Sequence, residues 1–273
     1  MPISDLAEVK YTMEEKIVKR ATGCFKDGFD ERDYIYMPVC ASHSNLPDSF
    51  ILERFPVKDQ GDINSCVAHS CALIKEIQEF YDTGKKLEFS VGWIYGYRTS
   101  GQYMGEGMYP KDALKTLIDY GDVVKSVFPE NLEYDDIQGL IDKRKATCIQ
   151  KAKPFVIKAY ARVTSAMNVK TAIYNNHSPV MIVVDIYENF YNIPKTGIVP
   201  NRQGSCDGGH AMVIIGWTKI NNQEYYVVQN SWGTNWGDKG LCYIKPGNSI
   251  ISDLFTSVDK TNTIQDMKRI NYK

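Results

Sequence analysis

Two periodicities follow one another along this 273-residue chain, and their order limits the folds open to it. From Cys66, apolar residues recur at helical spacing through Cys71, Ile74, Ile77 and Tyr81, and again through Ala113, Leu114, Leu117 and Ile118. The first run predicts a helix that stops near Gly84, the second one that ends at Tyr120-Gly121. From about Phe155 the pattern changes to short runs rich in Val, Ile and Tyr, separated by Gly, Pro and Asn turns. These runs are Phe155 to Tyr160, Val180 to Ile186, His210 to Trp217, Tyr225 to Gln229 and Leu241 to Ile244, and each predicts a strand. A helical half followed by a β half predicts an α+β fold with two lobes.

The same patterns divide the chain. Residues 1 to 45 form a leader, in which Ser4 caps a short helix through Thr12 to Arg20, stopped near Gly23, before the charged connector Asp30 to Tyr34. Residues 46 to 273 form one domain: a helical lobe over about 46 to 154, a β lobe over about 155 to 245, and a polar tail, 246 to 273, expected to wrap the surface.

With 43% hydrophobic and 24% charged residues the chain is ordinary for a soluble globular protein. A formal charge of −1 gives no footprint for nucleic acid or an anionic membrane. No apolar run approaches 18 residues, and Met1 to Arg20 has no apolar centre of a secretory signal. The expected location is therefore the cytoplasm, or a packaged or released state reached by a non-classical route. Seven scattered cysteines without a C-x-x-C pair read as free thiols of a reducing compartment. With no H-E-x-x-H and no paired-cysteine spacing, the sequence calls for no metal and no cofactor. The glycine-rich run Gly101 to Pro110 has no Lys-Ser/Thr after it, so it suits close backbone approach of a ligand better than a phosphate cradle.

Chemistry concentrates around Val57 to Ser70. A turn-rich polar run ends in Cys66, which stands at the N-terminus of the first predicted helix. Unpaired N–H groups and the positive end of the helix dipole bias a thiol there toward thiolate, the nucleophilic form. Gln60, six residues earlier, folds back so that its amide and the Cys66 N–H make a donor pair for an oxyanion. A base must come from His43, His69, His177 or His210. His69 lies on the same helix face and reads as structural, and His177 reads as an exposed loop residue. His210 opens an apolar strand after Asp207-Gly208-Gly209, where its ring faces a cleft. Asn230, at the end of a strand that hairpins with that of His210, accepts the imidazole N–H, and Trp232 shields this bond from water.

Gln60, Cys66, His210 within Gly209-His210-Ala211-Met212, and above all Asn230-Ser231-Trp232-Gly233-Thr234-Asn235-Trp236-Gly237 resemble the papain-like cysteine peptidases, over about Leu46 to Ile244. The resemblance implies a helical lobe and a β-barrel-like lobe with the site in the cleft between them. It makes Cys66 the nucleophile, His210 the base, Asn230 the orienter and Gln60 the oxyanion donor. It makes Gly107 and Met108 the edge that binds substrate backbone, with Tyr109, Gly209 and Ala211 near the pocket for the second residue before the cut, and Trp232 beside them. The implied partner is a peptide or protein substrate. Ile63 stands where the family carries a half-cystine, Val67 where it carries an aromatic, and Met108 where it carries a second glycine. The short leader is similar to that of bacterial or viral members, and the connector Asp30 to Tyr34 is expected to gate the cleft as an extended strand. In a thiol peptidase of this kind iodoacetamide is expected to modify one cysteine far faster than the other six; the alternative is a catalytically silent papain-like module that binds peptides or proteins.

Overall fold

The computed structural model describes residues 19–38, 46–99, 106–128, 146–259 and 267–269. The helix expected over Thr12 to Arg20, the first half of the glycine-rich run and Cys40 lie, wholly or nearly so, outside the described residues.

In chain order the elements are β1 (Tyr34–Tyr36), β2 (Phe50–Ile51), α1 (Cys66–Thr83), α2 (Val91–Gly96), α3 (Pro110–Asp119) and α4 (Ala146–Ala152), followed by β3 (Ile157–Arg162), α5 (Ala166–Asn176), β4 (Val180–Tyr187) and α6 (Glu188–Tyr191). β5 (Cys206–Ile220), β6 (Gln223–Gln229), β7 (Leu241–Ile244), β8 (Ile251–Asp259) and β9 (Met267–Arg269) complete the fold. This is the expected α+β architecture, with most helices before Phe155 and most strands after it. α1 ends as read, with Gly84 in the left-handed conformation at φ 70° and its N–H on the Phe80 carbonyl. Among the described residues no helix is long and apolar enough to cross a membrane.

One nine-stranded sheet runs β7-β6-β5-β4-β8-β3-β1-β9, with β2 added to β5. The long β5 is its spine: it pairs antiparallel with β4, where Val184 faces His210, and with β6, where Val213 faces Gln229. Buried Val, Ile and Met of β4 and β5 pack toward α1, whose Cys66, Val67, Cys71, Ile74 and Ile77 are fully or almost fully buried. Cys66 and the histidine strand are therefore joined through the buried core.

Three readings of the sequence are corrected here. The polar tail does not wrap the surface: Ile251–Asp259 is a central strand between β4 and β3. Its polar residues are buried because α1 supplies their partners. Lys75, fully buried, reaches Asp259 at 3.0 Å and Glu79 at 3.3 Å, and Gln78 Nε2 donates to Ser257 Oγ at 3.0 Å. A cut ion of this kind left unpaired costs about 3 to 5 kcal/mol, which is why the partners come together. Second, the β half contains the helix α5, capped by Ser165, whose side chain accepts from the Asn168 N–H at 3.1 Å. His177 caps its far end at φ 48°, half-buried and stacked on Tyr81 with ring centres 4.2 Å apart, so it is not an exposed loop residue. Third, the connector does not cross the cleft. Asp30 to Asp33 form a turn, and Tyr34–Tyr36 is a sheet strand, parallel to β3 and antiparallel to β9.

Candidate active site

Cys66 is the first residue of α1, with Ser65 at the cap position. Ser65 donates its backbone N–H to the Ile63 carbonyl at 2.8 Å rather than extending the coil, and this tight turn aims the first helical side chain at β5. The N–H groups of Ala211, Val67 and Cys66 itself stabilise the Cys66 sulfur as thiolate. Ala211 follows His210, so Cys66 and the histidine strand adjoin where α1 abuts β5.

The orientation of the histidine is fixed by bonds around Asn230. The Ser231 N–H donates to Asn230 Oδ1 at 2.7 Å, which identifies that atom as the amide oxygen. His210 Nε2 lies 2.7 Å from the same oxygen and must therefore carry its proton. The other ring nitrogen, Nδ1, is left with its lone pair, buried and without a hydrogen-bond partner among the described residues. That is the tautomer a general base requires. Trp232 covers the pair, its ring centre 4.5 Å from that of His210, backed by Tyr191 at 5.7 Å and Trp236 at 5.3 Å.

Gln60 is positioned as firmly. Its Oε1 accepts from Ser231 Oγ at 2.6 Å, so its amide nitrogen faces the cleft and donates to the Ile63 carbonyl at 2.9 Å. The Gln60 N–H on the Ser231 carbonyl and the Gly233 N–H on the Lys58 carbonyl tie the nucleophile loop to the Asn230 loop. The structure thus brings Gln60, Cys66, His210, Asn230 and Trp232 together.

Residues predicted to bind substrate face a segment the sequence reading did not place there. Ala21 to Phe25 runs as a strap through the cleft. The Ala21 carbonyl accepts from Gln60 Nε2 at 3.2 Å and from Trp232 Nε1 at 3.0 Å. Met108 donates to the Gly23 carbonyl at 2.9 Å and accepts from the Phe25 N–H at 3.0 Å, while the Cys24 N–H donates to the Gly209 carbonyl at 3.0 Å. Phe25 packs on Tyr109 with ring centres 5.1 Å apart. The approach is so close that a Cβ on Gly209 would lie 2.3 Å from the Cys24 carbonyl oxygen, and one on Gly107 2.7 Å from that of Gly23. Lys26 to Asp185, Lys19 to Asp207 and Asp33 to Lys111 and Arg162 hold the strap at its ends.

This cover corrects the electrostatic expectation. Burial pushes the Cys66 thiol up to about 12 against the pull of the three N–H groups, and it pushes His210 down to about 4 despite Asn230. With the strap in place, burial thus favours the neutral thiol and the neutral imidazole over the charged forms. The Cys24 thiol is likewise raised, first by burial and then by Cys66 nearby. Cys66 is fully buried while Cys206 is exposed, so in the covered chain Cys206 is expected to alkylate before Cys66. The six described cysteines, Cys242 among them, are free.

A pH dependence of stability follows. His210 and His69, the latter lowered by burial to about 3, stay neutral when folded and bind a proton near 6.5 when unfolded. Between those values the unfolded state holds more protons, so acid destabilises the fold. Asp27, raised by burial to about 6, and Asp122, Glu76 and Glu79, also raised by burial, oppose this with protons of their own. The part owed to His210 is isolated by comparison with His210→Gln: between about pH 6.5 and pH 4 the unaltered chain is expected to lose about 3 kcal/mol of stability to urea relative to that variant. An equal pH dependence in the two proteins would contradict a buried, neutral His210.

A family model described as "Papain family cysteine protease" matches residues 52–259. The chain belongs to that family. The match begins just before the nucleophile loop and ends with β8. Among curated relatives, the gut-specific cysteine proteinase of Caenorhabditis elegans is 39% identical over 103 residues, 38% of this chain and 31% of its own length. The cathepsin B-like cysteine proteinase 5 of the same organism is 26% identical over 89% of this chain and 77% of its own. The first match thus spans about a third of that relative. Among solved structures, xylellain, a cysteine protease from Xylella fastidiosa, aligns with a TM-score of 0.74 at 22% identity over 89% of this chain and 99% of its own, a likeness of fold.

Proposed function

We propose that this member of the papain family hydrolyses peptide bonds through an acyl-enzyme on Cys66. The observation that carries the reading is the fixed tautomer of His210. With Nε2–H held by Asn230, the free Nδ1 takes the Cys66 proton as the sulfur attacks the scissile carbonyl. The oxygen of the tetrahedral intermediate then receives the Gln60 amide and the Cys66 N–H. His210 returns its proton to the leaving amine, and water repeats the sequence in reverse to release the acid. Gly107, Met108, Tyr109, Gly209 and Ala211 form the walls along which the substrate backbone lies. The test is to incubate the Gly23→Ala variant, in which the strap is loosened, with a peptide thioester, quench in acid and locate the added acyl mass; it is expected on Cys66, and an acyl group found only elsewhere would refute the assignment.

The strap is read as the gate of that cleft. From the Gln60 donor to the Met108 edge the chain advances from Ala21 to Cys24, whereas substrate residues before the cut would run backward along the same edge. A chain laid in this sense occupies the oxyanion donor and both walls without presenting its peptide bond in a substrate's register. Strand addition supplies the affinity.

A further inference from the structure

A small cavity of about 10 Å³ lies behind the catalytic asparagine, walled by His69, Gln229, Asn230 and the Lys58–Glu76 ion pair among others. Two buried polar atoms of residues lining it have no partner among the described residues: Asn230 Nδ2 and Gln229 Oε1. Neither is free to turn. Asn230 is held through Oδ1 by Ser231 and His210, and Gln229 through Nε2, which donates to the Phe55 carbonyl at 3.2 Å. The third wall, His69, has Nδ1 at 3.1 Å from the Ser65 carbonyl and 3.2 Å from Ser65 Oγ; a bare Nδ1 would set its lone pair against the carbonyl oxygen, so Nδ1 carries the proton, shared between the two oxygens, and Nε2 is an acceptor. The volume matches one water molecule, which needs two to four polar partners.

We propose that one buried water occupies this cavity, accepting from Asn230 Nδ2 and donating to Gln229 Oε1 and His69 Nε2, and that His69 is thereby a positioning residue for the catalytic pair. Three fixed groups, one donor and two acceptors, match the bonding capacity of a single water. The inference deepens the peptidase reading and rests on it for its consequence. Anchoring Nδ2 adds a restraint from the opposite side of the amide to the two bonds on Oδ1, so Oδ1 stays on His210 Nε2 and Nδ1 keeps its lone pair for the thiol. Burial holds the His69 imidazole neutral to about pH 3, so it remains an acceptor wherever the fold persists.

The experiment needs no turnover, which keeps it separate from the peptidase reading. A high-resolution crystal structure of the full chain is expected to show one water within hydrogen-bond distance of Asn230 Nδ2, Gln229 Oε1 and His69 Nε2; an empty or otherwise filled cavity overturns the proposal. In ¹⁵N-histidine spectra of the full chain, His210 is expected as the Nε2–H tautomer. His69→Phe, which fills the space without an acceptor, is expected to give a mixture of His210 tautomers, and His69→Gln, whose amide oxygen reaches the same point, to restore the single one. A single His210 tautomer in folded His69→Phe overturns the positioning role. Should His69→Phe not fold, the water site and the tautomer of the unaltered chain, each with its own opposing result, decide the matter.

Discussion

Gly23→Ala is expected to raise the kcat/KM of the full chain on a small fluorogenic peptide by about 10- to 100-fold. Gly23 sits at φ +102°, and a Cβ there would meet Asn64 Cβ at 2.4 Å and its carbonyl oxygen at 2.5 Å. An alanine held in such backbone costs about 1 to 3 kcal/mol before the overlap is counted, and each 1.36 kcal/mol is tenfold in the closed-to-open ratio. Gly23 belongs to the strap, so the strain and the overlap with Asn64 arise only in the closed state; with the strap lifted the catalytic groups are as they were. Truncation at Leu46 is a poorer experiment, because it also removes β1 from the sheet. Opening the cleft rehydrates Cys66 and His210, which removes the burial that keeps them neutral. Iodoacetamide followed by peptide mapping is thus expected to label Cys206 before Cys66 in the unaltered chain and Cys66 first in Gly23→Ala. Equal kcat/KM and equal labelling in the two proteins would show that the strap does not restrain the site.

Cys66→Ala in the Gly23→Ala background is expected to lower kcat/KM by at least about 10⁴-fold, since nucleophile and base act as a unit and no other described thiol reaches His210 from a helix N-terminus. The fold is expected to persist: the change removes one buried sulfur, a loss of about 1 kcal/mol or a little more. Hydrolysis retained in a folded variant would exclude Cys66 as nucleophile.

The site was legible in the sequence to the extent that its geometry is local or carried by hairpins. Cys66 announces itself because polar turn residues give way to helical spacing at that point, and Asn230 because two β runs separated by Asn221-Asn222 must pair. The boundaries of α1 and β7 were equally clear. What escaped were features made by distant partners. Ser257 and Asp259 read as surface residues until Gln78 and Lys75 are seen to meet them, and β8 was missed with them. Ser165 before Asn168 was a usable cap signal for α5 that the surrounding β-rich pattern obscured. Ala21 to Phe25 carries no period at all, because its partners are the backbones of Met108 and Gly209 rather than its own side chains. The thiolate expected at a helix N-terminus is present in the N–H groups around Cys66, but burial beneath the strap outweighs them.

The place of β1 decides how such a chain can be switched on for good. The strap ends at Phe25 and β1 begins at Tyr34, where it shields β3 on one side and holds β9 on the other. Between them lie Lys26 to Asp33, with Gly28 and an exposed Phe29 at 64%. A proteolytic nick inside this short hinge would release the plug and keep the strand that seals the sheet, giving an uncovered enzyme with an intact edge. A nick beyond Tyr36 would discard both, and β3 would be left with a raw row of N–H and C=O groups inviting a neighbour of the same kind. On the reading of the strap as a gate, a cut that uncovers the site and a cut that bares the sheet edge would fall on opposite sides of a few residues.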